Sequence, residues 1–255
     1  MPMDKIRDFP LLVFALSLVV LWFSAHAASF FQKKLRPLQE EEWKDLDTIL
    51  AATLTLLGLI IAFSFSMAID RYNQRKNYEA EEANAIGTEL LRIDLLPVPD
   101  AARVRGLLRS YLDQRVLFYE TRNARQLRQI DADTVRLETE MWSAVQAAAA
   151  AQPTPPVTLV VAGMNDVLNA TGYTQAAWWN RIPIAAWSLM GAIAIFCNVL
   201  IGYDARRKRA LLFLILPVAL SISFLLIADI DSPRGGLIHV LPQNLESLSR
   251  SLHGR

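Results

Sequence analysis

Residues 48–69 read TILAATLTLLGLIIAFSFSMAI, 22 positions without a charge, and Asp70-Arg71-Tyr72 follows at once. About 20 apolar residues at roughly 1.5 Å each carry a helix across the hydrocarbon core of a bilayer. A helix also satisfies its own backbone hydrogen bonds there. The stretch therefore reads as a membrane span. Three others resemble it: Pro10–Phe31 and Ile182–Tyr203, each of 22 residues, and Ala210–Ala228 of 19. The apolar content of 53% is near that of a soluble protein, but the charges are confined to the rest of the chain. That segregation excludes a soluble globular protein.

The same composition excludes other classes. A net charge of +1 makes no electrostatic case for nucleic acid as a partner. The one cysteine, Cys197, sits inside the third uncharged run and reads as a small apolar residue. His26, His239 and His253 lie far apart and make no ligand pattern. No phosphate-binding loop, dinucleotide fingerprint, HExxH or GxSxG occurs, so neither an enzyme nor a cofactor is expected.

The first run has a second reading. Lys5 and Arg7, the apolar core Leu11–Phe23 and Ala25-His26-Ala27 also fit a secretory signal. Its length and its end in Lys33, Lys34 and Arg36 favour a retained span.

The expected fold is an all-α integral membrane protein with four transmembrane helices and an extramembrane helical bundle inserted between spans two and three. Its parts are spans at 10–31, 48–69, 182–203 and 210–228, the bundle at 70–181, and a tail at 229–255. Short loops, Gln32–Asp47 and Asp204–Arg209, lie on one side of the membrane. No proline occurs between Pro37 and Pro97, so the second span continues as one helix to about Leu95. Asp100 is the expected cap of the next helix, whose Val104, Leu107, Leu108, Tyr111, Leu112, Val116 and Tyr119 form an apolar stripe. Further helices are expected over 133–151, 157–179 and 243–252. With 13 basic and 14 acidic residues, 70–181 reads as a solvated surface. The cluster Arg206–Arg209 favours cytoplasmic short loops by the positive-inside rule, but the opposite side carries almost as many cations near membrane ends.

Thr48, Ala52, Thr55, Gly58, Leu59, Ala62 and Ser66 share one helical face. Small and hydroxyl residues let helices approach closely, so helix packing is one reading. The other is a pore face, with Leu59 and Phe63 as a constriction that gates by dewetting. Asp70, Arg71 and Tyr72 then stand at the membrane boundary, as a register device or a ring of charge at a pore mouth. Glu79, Glu81 and Glu82 lack a nearby histidine and read as a solvated face rather than a metal cluster. Asn84 continues that helix, and Gly87 in its middle predicts close packing against another backbone. Asp229, Asp231 and Pro233 read as a capped turn, since two carboxylates and Ser232 fall short of a calcium loop.

The segments Leu57–Tyr72, Glu81–Thr88 and Leu95-Leu96-Pro97, with Asp229–Pro233 after the last span, resemble the bestrophin-like domain family of bacterial membrane proteins. The run Glu81-Glu82-Ala83-Asn84-Ala85-Ile86-Gly87 is the most specific part. A weaker likeness reaches bestrophins themselves, pentameric anion channels with four spans per subunit. There the second helix lines an apolar neck and ends in an Asp-Arg-aromatic motif. Matching Asp70-Arg71-Tyr72 to that motif places Thr55, Leu59 and Phe63 at the neck. The acidic run of the bestrophin calcium clasp has no counterpart, because Pro233 is followed by Arg-Gly-Gly-Leu. The resemblance also implies a cytoplasmic 70–181 region.

Two functions are expected on these grounds. One is a homo-oligomeric, five-fold pore in the bacterial inner membrane, passing small anions along the second helix. The other is a non-conducting, membrane-anchored protein whose middle bundle binds a partner or senses a ligand.

Overall fold

The computed structural model describes residues 7–32, 40–203 and 212–253. The cations Lys5, Lys33, Lys34, Arg36 and Arg206–Arg209, with the loop Asp204–Arg209, lie outside them. Every regular element among the described residues is helical. In chain order they are α1 (Pro10–Gln32), α2 (Glu40–Arg92), a 3-10 turn (Ile93–Leu95), α3 (Val98–Glu120), α4 (Ala124–Ala151), α5 (Pro155–Trp179), α6 (Ile184–Tyr203), α7 (Leu212–Asp231) and α8 (Gln243–His253). Among the described residues, four helices are long and apolar enough to cross a membrane, and each overlaps one of the uncharged runs.

Several boundaries move for local reasons. Helix α2 begins at Glu40, so Glu40–Asp47 is helix rather than the expected loop. Glu, Lys and Leu are good helix formers, and acidic residues in the first turns complement the dipole. Helix α3 starts at Val98 with Pro97 in the capping position, which leaves Asp100 in the first turn instead of at the cap. Helix α4 starts at Ala124, well before residue 133, because the Asn123 side chain accepts from the backbone N–H of Arg125 and Gln126 at 2.9 and 3.3 Å. Few apolar residues mark that first part, and polar pairs such as Arg136–Glu140 at 2.9 Å support the helix instead.

The chain forms two compact units. The first comprises Met1–Tyr72 and Arg181–His239. Here α1 packs on both α6 and α7. Its core includes Leu21, Leu50, Leu57, Met190, Cys197, Phe224 and Ile227. A Cβ on Gly202 would overlap the Ala25 carbonyl and lie 2.9 Å from its Cα, so this glycine sets how closely α6 approaches α1. The outer face of α1 remains apolar and exposed at Leu11, Val19 and Phe23, as a lipid-facing helix requires.

The second unit comprises Asn73–Asn180 and Val240–Arg255, so the tail helix belongs with the middle region rather than standing apart. Helix α3 packs on α4 and α8, and α4 packs on α5. Val104, Leu108, Tyr111, Leu112 and Tyr119 are buried as the apolar stripe predicts, and Leu107 and Val116 sit at its margin.

Candidate functional site

Helix α2 sorts its residues by face. Leu50, Leu57, Ser64 and Ala68 are buried within the first unit. Thr48, Ala52, Thr55, Leu59, Ala62, Phe63 and Ser66 are all exposed, Leu59 at 51% and Phe63 at 62%. The chain thus covers one side of the helix with its own core and leaves the small, hydroxyl-rich side uncovered. Thr48, Thr53 and Thr55 turn their hydroxyls back onto carbonyls one turn earlier, at 2.7–2.9 Å. These bonds satisfy the hydroxyls within the helix itself.

The uncovered face persists along α2. At 100° per residue Asp70, Asn77, Glu81, Asn84 and Thr88 fall within the same sector as Thr48 and Ser66, and each is exposed. Of the motif at the end of the span, Asp70 joins this sector while Tyr72 turns toward the core of the first unit. Arg71 lies between the two directions, half-buried.

The glutamate run divides by the same geometry, and the solvated-face reading holds only for Glu81. Glu82 is fully buried and forms an ion pair with Arg115 of α3, which is also buried. Glu82 Oε2 accepts from Arg115 Nη2 at 3.4 Å, from Thr174 Oγ1 at 3.0 Å and from Tyr119 Oη at 3.5 Å. The guanidinium also lies 4.4 Å from the Phe118 ring centroid. Burial works against the Arg115 charge, but the Glu82 carboxylate more than offsets it, so the guanidinium stays protonated. Burial, with the Glu82 charge added, pushes the Tyr111 and Tyr119 hydroxyls above their usual range. Burial likewise raises the Glu138 carboxyl.

Glu79 is buried as well. Its carboxylate accepts from the backbone N–H of Asn244 and Leu245 at 2.9 and 3.0 Å and from Asn244 Nδ2 at 2.6 Å. It therefore caps the start of α8 from a helix distant in sequence, satisfying N–H groups that a helix leaves open. Gly87 faces the Leu248 side chain of α8, at 3.5 Å from a notional Cβ, rather than a second backbone.

The tail turn uses its acids structurally. Asp229 accepts from the backbone N–H of Leu237 and Ile238, both at 2.8 Å, and Asp231 from that of Ile182 at 3.0 Å. Arg7 donates to the Ile182 carbonyl at 2.7 Å, which ties α1 to the start of α6. Pro233 is buried in the turn. These bonds relieve the unfavourable placement of two acids at a helix C-terminus.

Periodicity could not place Arg115, Thr174 or Glu89 in the interior, because each is a polar type whose prior is exposure. The one available signal is position: Arg115 stands four residues after Tyr111 and four before Tyr119, within the stripe.

A family model, the Bestrophin-like domain, matches residues 11–245. No curated protein sequence matches the chain. Among solved structures, a bacterial Bestrophin homolog from Klebsiella pneumoniae phased with zinc aligns at 14% identity and a TM-score of 0.63, covering 96% of this chain and 97% of its own. Two point mutants of that homolog align at TM-scores of 0.64 and 0.66, with 14% and 13% identity. Each covers 94% of this chain, and 97% and 96% of its own. At these identities the likeness establishes the fold.

Proposed function

We infer the function of this chain from its family: it belongs to the Bestrophin-like domain family, whose model spans all four candidate membrane helices. We propose that it is a homo-oligomeric pore of the bacterial inner membrane, five-fold about an axis lined by α2, and that it passes small anions. Span one is retained as α1, and the 70–181 region with α8 forms a cytoplasmic helical bundle.

The observation that carries this reading is the uncovered face of α2. Thr48, Ala52, Thr55, Ala62 and Ser66 offer hydroxyls and small surfaces along it, and Leu59 with Phe63 supplies a dewetting constriction. Asp70 stands at the inner mouth with Arg71 beside it, and Tyr72 anchors this end of the span to the core of the first unit. Further along α2, Glu81 and Asn84 stay exposed, while Glu82 and Gly87 face the rest of the second unit. A helix with this face in lipid would gain nothing from its hydroxyls. Turned toward the same face of other copies, it encloses a narrow path.

The test is ion flux from liposomes carrying the purified chain, wild type against Leu59→Ala/Phe63→Ala. Flux should rise in the double variant, because the gate loses its apolar bulk. Unchanged flux from an intact double-variant oligomer refutes the pore. Reversal potentials in the same vesicles assign the sign of the ion, and a cation preference would overturn the anion assignment. A particle that stays monomeric or dimeric in mild detergents leaves no central path, and the anchored, partner-binding alternative takes over.

A further inference from the structure

Glu89 lies on α2 within the second unit, outside the uncharged span, and it is fully buried. Neither carboxylate oxygen has a hydrogen-bond partner among the described residues. Every other buried glutamate there is engaged: Glu79 by α8 and Glu82 by Arg115. The surroundings of Glu89 are built around it. A Cβ on Gly163 of α5 would overlap both the Glu89 carboxylate and the Arg92 guanidinium, so the glycine forms a notch that admits them. Arg92, three residues further along α2, is turned to Asp166 of α5 at 3.6 Å. Asp94, on the 3-10 turn against which α5 also packs, is paired with Arg105. The charges facing Glu89 are thus Arg92 from its own helix and Asp166 from α5, and Asp166 already engages Arg92.

An ionised carboxylate buried without donors is far costlier than a neutral carboxyl in the same place. We propose that Glu89 is a proton-binding site: the folded chain holds a proton there at neutral pH, and losing it loosens α5 from α2. Burial pushes this carboxyl up to about 8; Arg92 opposes the rise and Asp166 adds to it. Once charged, Glu89 competes with Asp166 for Arg92 and draws water into the notch. The inference does not depend on whether the chain conducts.

The sign follows from proton counting. Between the unfolded value near 4.5 and the folded value near 8, the native state holds the extra proton. Stability from this group is complete below the lower value and is lost as pH rises toward the upper one. The experiment is thermal unfolding of the detergent-purified full chain from pH 5 to 9.5, wild type against Glu89→Gln. The folding constant of Glu89→Gln relative to wild type should rise by on the order of 1000-fold across this range and then level off. A flat difference overturns the proposal. A second measurement covers the case in which that variant does not fold. Infrared spectra of the wild type should contain a protonated-carboxyl stretch that disappears with a midpoint near pH 8. In Asp166→Asn, at a largely exposed position, this midpoint should fall, because a negative charge that helps retain the proton is gone. An unmoved midpoint, or no band titrating above pH 6, refutes the assignment.

Discussion

Replacing Glu82 by Gln keeps the shape of the side chain and removes its charge. Arg115 then remains 2% exposed, unable to shed its proton, with its paired carboxylate gone. Removing one partner of a buried pair costs about 3–5 kcal/mol, because the survivor is an uncompensated buried charge. The amide still accepts from Thr174, and the Phe118 ring still lies against the guanidinium, which favours the lower end of that range. For a chain of this size about 2–4 °C accompanies each kcal/mol, so the melting temperature should fall by ~6–20 °C. Tryptophan fluorescence of the detergent-purified chain at a fixed scan rate reads this locally. The Trp178 ring stands 5.0 Å from Phe118 and 5.4 Å from Tyr119, centroid to centroid, beside the ion pair. The double variant Glu82→Gln/Arg115→Met removes both charges and should recover most of the loss, since a buried pair is worth little more than well-packed apolar atoms. A single variant within about 1 kcal/mol of wild type refutes the reasoning, because only a solvated pair is that inexpensive to break.

Two further outcomes follow from the close contacts. Glu79→Ala should fray α8, because the N–H groups of Asn244 and Leu245 lose their acceptor; hydrogen exchange over 245–253 should speed up by roughly 10-fold, the equivalent of a lost cap. Equal exchange would mean that contacts such as Leu248 with Gly87 hold the helix unaided. Gly202→Ala should cost about 1–3 kcal/mol, since the Ala25 backbone cannot yield as a side chain would. Gly58→Ala is the matched control: nothing lies within 4 Å of its notional Cβ, so helix propensity should stabilise the subunit by up to ~1 kcal/mol. Equal melting shifts for the two would show that α6 does not need Gly202 to approach α1.

Hydropathy and proline placement made the membrane helices legible. An uncharged run of about 20 residues has one low-energy conformation in lipid, and an unbroken stretch from Pro37 to Pro97 has nothing to end its helix. Periodicity alone also places Thr48 and Ser66 on one side of α2, but whether that side is covered was decided by the packing of the first unit. The starts of α2 and α4 were not, because polar residues form helices without leaving an apolar period.

The interior charges of the second unit lay further out of reach. Glu79, Glu81 and Glu82 are the same residue type within four positions, and local sequence assigns all three to water. Tertiary structure separates them, since α8 brings backbone N–H groups to Glu79, α3 brings a guanidinium to Glu82, and Glu81 stays exposed among the described residues. Glu89 is the sharper case, buried in a notch that exists only because Gly163 of α5 stands opposite. A buried charge is decided by donors from distant segments, and their arrival is a property of the folded chain. Membership of the membrane is a property of composition, which is why the sequence alone determined it.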